Sequence, residues 1–183
     1  MTEQSRENNQ EELEKQVFDL KQLLEISKSL NSTLDYHILI DSILYTIMGQ
    51  MKVLKAALYA KKGIDSTSFS LHRNYKGFEL EPGIDYSLPE DIPAIKLFSK
   101  DYRCYTLKEI KKILGNYGGL DCLVSLNPSL LVPLKTKGVI NGLILLGDQI
   151  LGTDFTGYEK EYIINIATRS EERRVGKECR SRW

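Results

Sequence analysis

The chain has 183 residues, of which 42% are apolar, and it carries 25 Lys+Arg against 25 Asp+Glu. That apolar mass suffices for one domain and an additional helix. No run of 18 apolar residues occurs, which argues against a membrane span, and the polar, acidic opening MTEQSRENNQEELEK is the opposite of a secretory signal, so the expected compartment is the cytoplasm.

Residues 1–10 are polar and are expected to be disordered. A helical pattern then covers 11–30. Leu13, Val17, Leu20, Leu24 and Ser27 fall at spacings of four and three, the seam of a heptad repeat. Glu11, Glu12, Glu14, Lys15 and Lys21 lie mostly off that seam. Two readings stand, a helix that pairs with its twin in a homodimer and a single amphipathic helix packed on its own domain, and a parallel dimer helix that also touches the domain satisfies both. Asn31-Ser32-Thr33 interrupts the pattern, and Asp35 suits the N-cap of a second helix. Ile40, Ile43, Leu44, Ile47, Met48 and Met51 give that helix one apolar face, that of a core helix.

Residues 56–60, AALYA, read as a strand, and 61–65 as its turn. Ser68 to Tyr75 reads as the hairpin partner, with Phe69, Leu71, Arg73 and Tyr75 alternating on one face. Pro82-Gly83, Pro89 and Pro93 make the middle irregular. Asp91 to Ser99 is expected to be a short helix with Pro93 in its first turn. Arg103 to Thr106 reads as a short strand. Thr106-Leu107-Lys108-Glu109 is a capping-box signature that opens a helix to about Leu114. Residues 116–128, with Gly118-Gly119, read as a loop.

The stretch SLLVPLKTKGVINGLILLGD, Ser129 to Asp148, is a hairpin around which the rest must pack. Leu130, Val132 and Leu134 alternate with Leu131, Pro133 and Lys135. Lys135 to Gly138 reverses the chain, and Gly138 takes φ > 0 at no steric cost. Val139 to Leu146 is almost continuously apolar, so both its faces are expected to be covered, inside the sheet. Asn141-Gly142 marks a bulge or a close approach. A second T-x-x-E, Thr156 to Glu159, opens a last helix with Tyr158, Tyr162, Ile163 and Ile166 on its apolar face. It is expected to stop, truncated, at Thr168. The expectation is an α+β fold: a central antiparallel sheet of about five to six strands, long N- and C-terminal helices on one face, short helices and loops roofing the other.

Residues 169–183, RSEERRVGKECRSRW, break the amphipathic pattern and resemble the translation of a sequencing adapter, so they are set apart as a non-native tail. Six of the Lys+Arg and three of the Asp+Glu lie there, which leaves a mildly acidic body and argues against a nucleic-acid surface. Cys104 and Cys122, the cysteines outside the tail, have no metal or redox spacing and are expected to be buried thiols. No P-loop, H-E-x-x-H or Ser-His-Asp arrangement is present, and neither His37 nor His72 has ligand-spaced neighbours. The residues assign no catalytic group and no metal. A sheet roofed on one face is a natural small-molecule cavity.

Residues 24–168 resemble a GAF domain. The likeness rests on LLEISKSLNSTLDYHILIDSILYTI (Leu23–Ile47), on the central hairpin and on FTGYEKEYIINIA (Phe155–Ala167). With VLKAALYAKKG and SFSLHRNYKGFEL the chain is also similar to GAF domains of spirochaete signalling proteins, several of which precede a diguanylate cyclase domain. The resemblance implies a regulatory, dimerising sensor from the N-terminal part of such a cyclase, with no GGDEF-type output domain in these residues and no enzyme activity of its own. It implies a ligand between sheet and roof, a cyclic nucleotide or another small molecule, lined by Phe69, Leu71, Arg73, Tyr75, Ile95, Phe98, Tyr117, Cys122, Leu130 and Val132. Arg73 is read either as the group that meets a phosphate or carboxylate or as a solvated side chain. The homodimer is assigned to Leu13, Val17, Leu20 and Leu24, with neither membrane nor nucleic acid as partner. The cyclic-nucleotide signature N-K-x-n-F-x-x-x-D-E is not evident, and Cys122 is followed by Leu123 rather than the His of tetrapyrrole-binding members. Two alternatives remain: an enzyme like the free methionine-(R)-sulfoxide reductases, using Cys104 and Cys122 in the roof, and a ligand-free relay that passes motion between helices.

Overall fold

The computed structural model describes residues 12–22, 36–61, 66–115 and 120–180. Residues 12–22 form helix α1. Then follow α2 (Tyr36–Met51), β1 (Ala56–Lys61), β2 (Ser68–Leu71), β3 (Ser87–Pro89), α3 (Pro93–Lys100), α4 (Leu107–Leu114), α5 (Asp121–Leu126), β4 (Leu130–Thr136), β5 (Val139–Leu146) and α6 (Gly157–Arg180). The five strands make one antiparallel sheet in the order β3-β2-β1-β5-β4, so β1 is central. The fold is the expected α+β class.

The hairpin of β4 and β5 closes through Lys137 and Gly138, both at positive φ (51° and 85°), the pairing of a type I′ turn whose twist suits the flanking strands. Its register slips between Leu134, opposite Gly142, and Lys135, opposite Ile140. Asn141 is therefore the extra residue of a bulge. Gly142 is also a close approach, since a Cβ built on it would lie 2.5 Å from the Tyr59 carbonyl oxygen. Both readings of Asn141-Gly142 hold. β5 lies between β1 and β4 and is buried along nearly its whole length.

Period 2 divides the sheet into two faces. Ala56, Leu58 and Ala60 of β1, Leu130, Val132 and Leu134 of β4, and Ile144 and Leu146 of β5 pack against α2 and α6. From α2 come Leu39, Ile40, Ile43, Leu44, Ile47 and Met51; from α6 come Tyr162, Ile163, Ile166 and Ala167. The opposite face, with Ala57, Tyr59, Phe69, Leu131, Leu143 and Leu145, is roofed by α3, α4 and α5.

The caps explain the helix boundaries. Pro93 opens α3, where its missing N–H is no loss. The Thr106 hydroxyl accepts from the Glu109 amide at 3.1 Å while Glu109 accepts from the Thr106 amide at 2.7 Å. Thr156 and Glu159 repeat the arrangement at 3.2 and 2.8 Å at the start of α6. α2 closes on Lys52 at φ 52°, with the Val53 amide donating to Met48 and the Lys52 amide to Gly49, a Schellman motif in which lysine occupies the left-handed position.

Several expectations are corrected. The strand from Ser68 ends at Leu71, and residues 73–74 form a turn. The His72 amide still donates to the Leu58 carbonyl at 2.7 Å, and the chain turns away after it. Residues 103–106 supply only a bridge between Tyr105 and Leu131. The expected loop 116–128 contains α5, and the irregular middle contains β3. α6 does not stop at Thr168 but continues to Arg180. Residues 1–10, and Asp35 with its expected cap, lie outside the described residues.

Candidate functional site

Tyr59 stands at the centre of the roofed face. It sits mid-way along the central strand, opposite Leu71 of β2 and Leu143 of β5. The ring is fully buried in the roofed cluster, which also holds Phe69, Leu88, Ile95, Phe98, Cys122 and Leu126. Its hydroxyl is buried beside the Cys122 thiol, its hydrogen-bonding neighbour. Burial, and then the neighbouring Cys122, Tyr86 and Asp85, push its ionisation well above the usual tyrosine range. Burial likewise raises the Cys122 thiol.

The roof over Tyr59 is tied down by polar contacts. The Tyr86 hydroxyl lies 3.0 Å from the Ser125 hydroxyl and accepts from the Glu81 amide at 2.8 Å. Ser125 donates to the Glu81 carboxylate at 2.8 Å. The Cys122 thiol points to the Ser87 carbonyl at 3.8 Å. These contacts hold α5 over the segment that leads into β3.

Of the ten residues expected to line the site, Phe69, Ile95, Phe98 and Cys122 are buried on the roofed side, with Leu71 and Tyr75 packed at its margin. Leu130 and Val132 lie on the opposite face, under α2 and α6. Alternation on β4 separates the two faces, but it does not say which one is roofed; Leu131 is the residue that faces the roof. Arg73 is exposed in the turn after β2. Tyr117 lies outside the described residues. Sequence reasoning missed Tyr59, and its signal was the lone polar-tipped aromatic in AALYA. An open groove of about 460 Å³ runs between α3 and the start of β5, lined by Ile95, Lys96, Ser99, Lys100, Val139 and Ile140 with Glu90.

The two thiols are on different sides of the sheet. Cys104 packs with the helix-side cluster and its thiol points to the Lys160 carbonyl at 3.4 Å. Burial pushes it up to about 12. Cys122 is on the roofed side. Two protonated thiols on opposite faces are poor nucleophiles and do not form a redox pair, so the expected placement of both in the roof is corrected for Cys104.

α1 lies against the helix layer by its polar face. The Tyr158 hydroxyl donates to Asp19 at 2.6 Å, the Lys15 ammonium lies 5.8 Å from the centre of the Tyr158 ring, and the Gln50 amide donates to Gln22 at 2.6 Å. Lys15, Asp19 and Gln22 share one helical face; Leu13, Val17 and Leu20 share the other, about half a turn away. Leu13, Val17 and Leu20 are 60%, 46% and 59% exposed. Leu24 lies outside the described residues.

No family model matches the chain. Diguanylate cyclase A of Treponema denticola is 44% identical over 156 residues, covering 85% of this chain and 42% of that protein, so the chain spans less than half the length of this curated relative. Among solved structures, the GAF domain of a phosphoenolpyruvate-protein phosphotransferase from Coxiella burnetii superposes with a TM-score of 0.65 at 13% identity, covering 90% of this chain and 97% of that one. Free methionine-R-sulfoxide reductase from Neisseria meningitidis, in complex with its substrate, gives 0.58 at 13% identity over 87% of this chain and 89% of that one. At such identities the structural likeness speaks for the fold alone. The roofed antiparallel sheet, flanked by long terminal helices and matched to these structures over most of its length, shows that this chain has the GAF fold.

Proposed function

We propose that this chain is the sensory and dimerising GAF domain of a diguanylate cyclase. The observation that carries the reading is the 44% identity to diguanylate cyclase A over 156 residues. In this reading a small molecule binds between the sheet and the roof of α3, α4 and α5. α1 pairs with α1 of a second copy through Leu13, Val17 and Leu20, and α6 carries the response to a cyclase domain. The site on the roofed side accounts for Phe69, Leu71, Tyr75, Ile95, Phe98 and Cys122; Arg73 is a solvated side chain. The cytoplasm is the compartment that fits a cyclase, and among the described residues no helix is long and apolar enough to cross a membrane.

The exposure of the α1 seam favours a second reading, in which the domain relays movement between α1 and α6 with no ligand. One exchange addresses both. This chain replaces the matching segment of the Treponema denticola enzyme, and cyclic diguanylate production is measured in the purified chimera. The expected result is a cyclase with activity within about 10-fold of the parent, the scale of about 1.4 kcal/mol. A folded chimera without cyclase activity would refute the assignment.

A further inference from the structure

A groove of about 410 Å³ opens at the end of the sheet where β4 begins and β5 ends. None of Phe69, Ile95, Phe98 and Cys122 lines it, so it is separate from the space between sheet and roof. Its walls carry opposite charges. Lys108 and Lys111 share one face of α4 and form one wall. Asp148, just after β5, and Asp154, in the loop before α6, form the other. Leu107 and Pro128, both buried, are the apolar part of the lining.

The fold fixes each wall. The Thr106–Glu109 capping box and the buried Leu107 and Ile110 hold α4 in place. Asp148 accepts from the Ser129 hydroxyl. Asp154 stands between Thr153, whose hydroxyl donates to Gln149 at 2.6 Å, and Phe155, which is buried in the helix-side cluster. Yet the walls do not neutralise each other. The ion pairs among the described residues join Lys61 to Glu90, Lys76 to Asp41, and Arg103 to Asp101 and Glu109. No lysine of the groove pairs with an aspartate across it. Cations and carboxylates held apart in one hollow select a guest that carries both charges. A plain anion meets the aspartates as like charges, and a plain cation meets the lysines in the same way. A guest with a carboxylate toward α4 and an ammonium toward the loop gains charge-assisted hydrogen bonds at both ends.

We infer that this groove binds a free aliphatic α-amino acid. Lys108 and Lys111 meet its carboxylate, Asp148 and Asp154 its ammonium, and Leu107 and Pro128 its side chain. The site depends neither on a ligand under the roof nor on the cyclase assignment. The loop that supplies Asp154 leads into α6, so an occupied groove ties α4 to the entry of that helix.

The test is a titration of the purified chain at neutral pH, followed by protein NMR, with three probes. L-Leucine carries both charges, isocaproate is the same skeleton without the ammonium, and isoamylamine is that skeleton without the carboxylate. The titrations are repeated on Lys111→Gln and Asp154→Asn, both at exposed positions, and on Lys96→Gln, which lines a different groove. Circular dichroism shows that each variant is folded. The expected result is saturable binding of L-leucine, with isocaproate and isoamylamine at least about 10-fold weaker. Lys111→Gln and Asp154→Asn each weaken L-leucine about 3- to 10-fold, a charge-assisted contact discounted for its exposure, and Lys96→Gln leaves it unchanged. Isocaproate or isoamylamine binding as tightly as L-leucine overturns the two-charge argument. L-Leucine binding that neither Lys111→Gln nor Asp154→Asn weakens overturns the placement in this groove. A chain that does not bind L-leucine saturably overturns the proposal.

Discussion

Gly142 shows how one residue fixes the centre of the sheet. It faces Leu134 across the β4–β5 ladder and Ala60 across the β1–β5 ladder. A methyl group there meets the Tyr59 carbonyl oxygen at 2.5 Å and Leu134 at 3.1 Å. The first contact is with backbone, which cannot swing aside, so β1 and β5 must separate locally. Gly142→Ala is expected to lower stability by about 1–3 kcal/mol, read as a shift in the urea midpoint at unchanged slope. A midpoint equal to that of the wild type would show that the strands do not approach as described. The same carbonyl belongs to Tyr59, so the substitution also disturbs the floor of the proposed site. The dipeptide Asn141-Gly142 advertised both features in the sequence. Tyr59 did not advertise its burial, because in a run of small apolar residues a tyrosine fits a rim as well as a floor.

Elements were legible where a local physical signal was complete. Both T-x-x-E sequences became capping boxes, since each satisfies two otherwise unpaired amides within four residues. Arg103 reinforces the first box, its guanidinium reaching Glu109 at 3.2 Å and Asp101 at 2.8 Å. Burial raises the Glu109 carboxyl, but the Thr106 amide and hydroxyl together with Arg103 outweigh it and hold the group below its usual range. Thr106→Ala removes the acceptor for the Glu109 amide and is expected to cost about 0.5–2 kcal/mol, measured by thermal or urea unfolding; a loss below about 0.3 kcal/mol would mean that the box contributes nothing net. β3 and α5 were illegible for the opposite reason. Three residues of strand carry no readable period, and α5, six residues long, has no side-chain cap at its start. Its apolar Cys122, Leu123 and Leu126 are held by the roof rather than by propensity. Leu130 and Val132 went to the wrong side for a similar reason: alternation names two faces, and only tertiary packing decides which is roofed.

At the scale of the molecule, Gln149 joins the parts that the sheet keeps separate. Its side-chain amide donates to the Met51 carbonyl at the end of α2 at 3.4 Å and to Glu159 in the first turn of α6 at 3.1 Å, and Thr153 donates to its oxygen at 2.6 Å. α1 meets the same corner through Gln50 and Tyr158. The start of α6 is therefore in contact with α1 and, through Gln149, linked to α2 and to the loop that follows β5. Of the two readings open for the N-terminal helix, its contacts and exposure support a combination: α1 docks on its own domain by polar residues and turns its apolar seam outward. The heptad spacing was visible in the sequence, but the direction of the seam was not, since it depends on Asp19 and Gln22 finding partners 139 and 28 residues away. In the dimer reading, a second copy would cover the exposed seam of Leu13, Val17 and Leu20.

That outward seam is the account's central claim, and sedimentation equilibrium tests it most directly. The chain and its Leu13→Glu, Leu20→Glu double variant are compared over a range of concentrations, with circular dichroism to show that both are folded. The account predicts a reversible dimer for the chain and a shift of at least about 100-fold in its dissociation constant for the double variant, about 2.7 kcal/mol. A chain that stays monomeric throughout, or a dimer that the two glutamates leave intact, would contradict it.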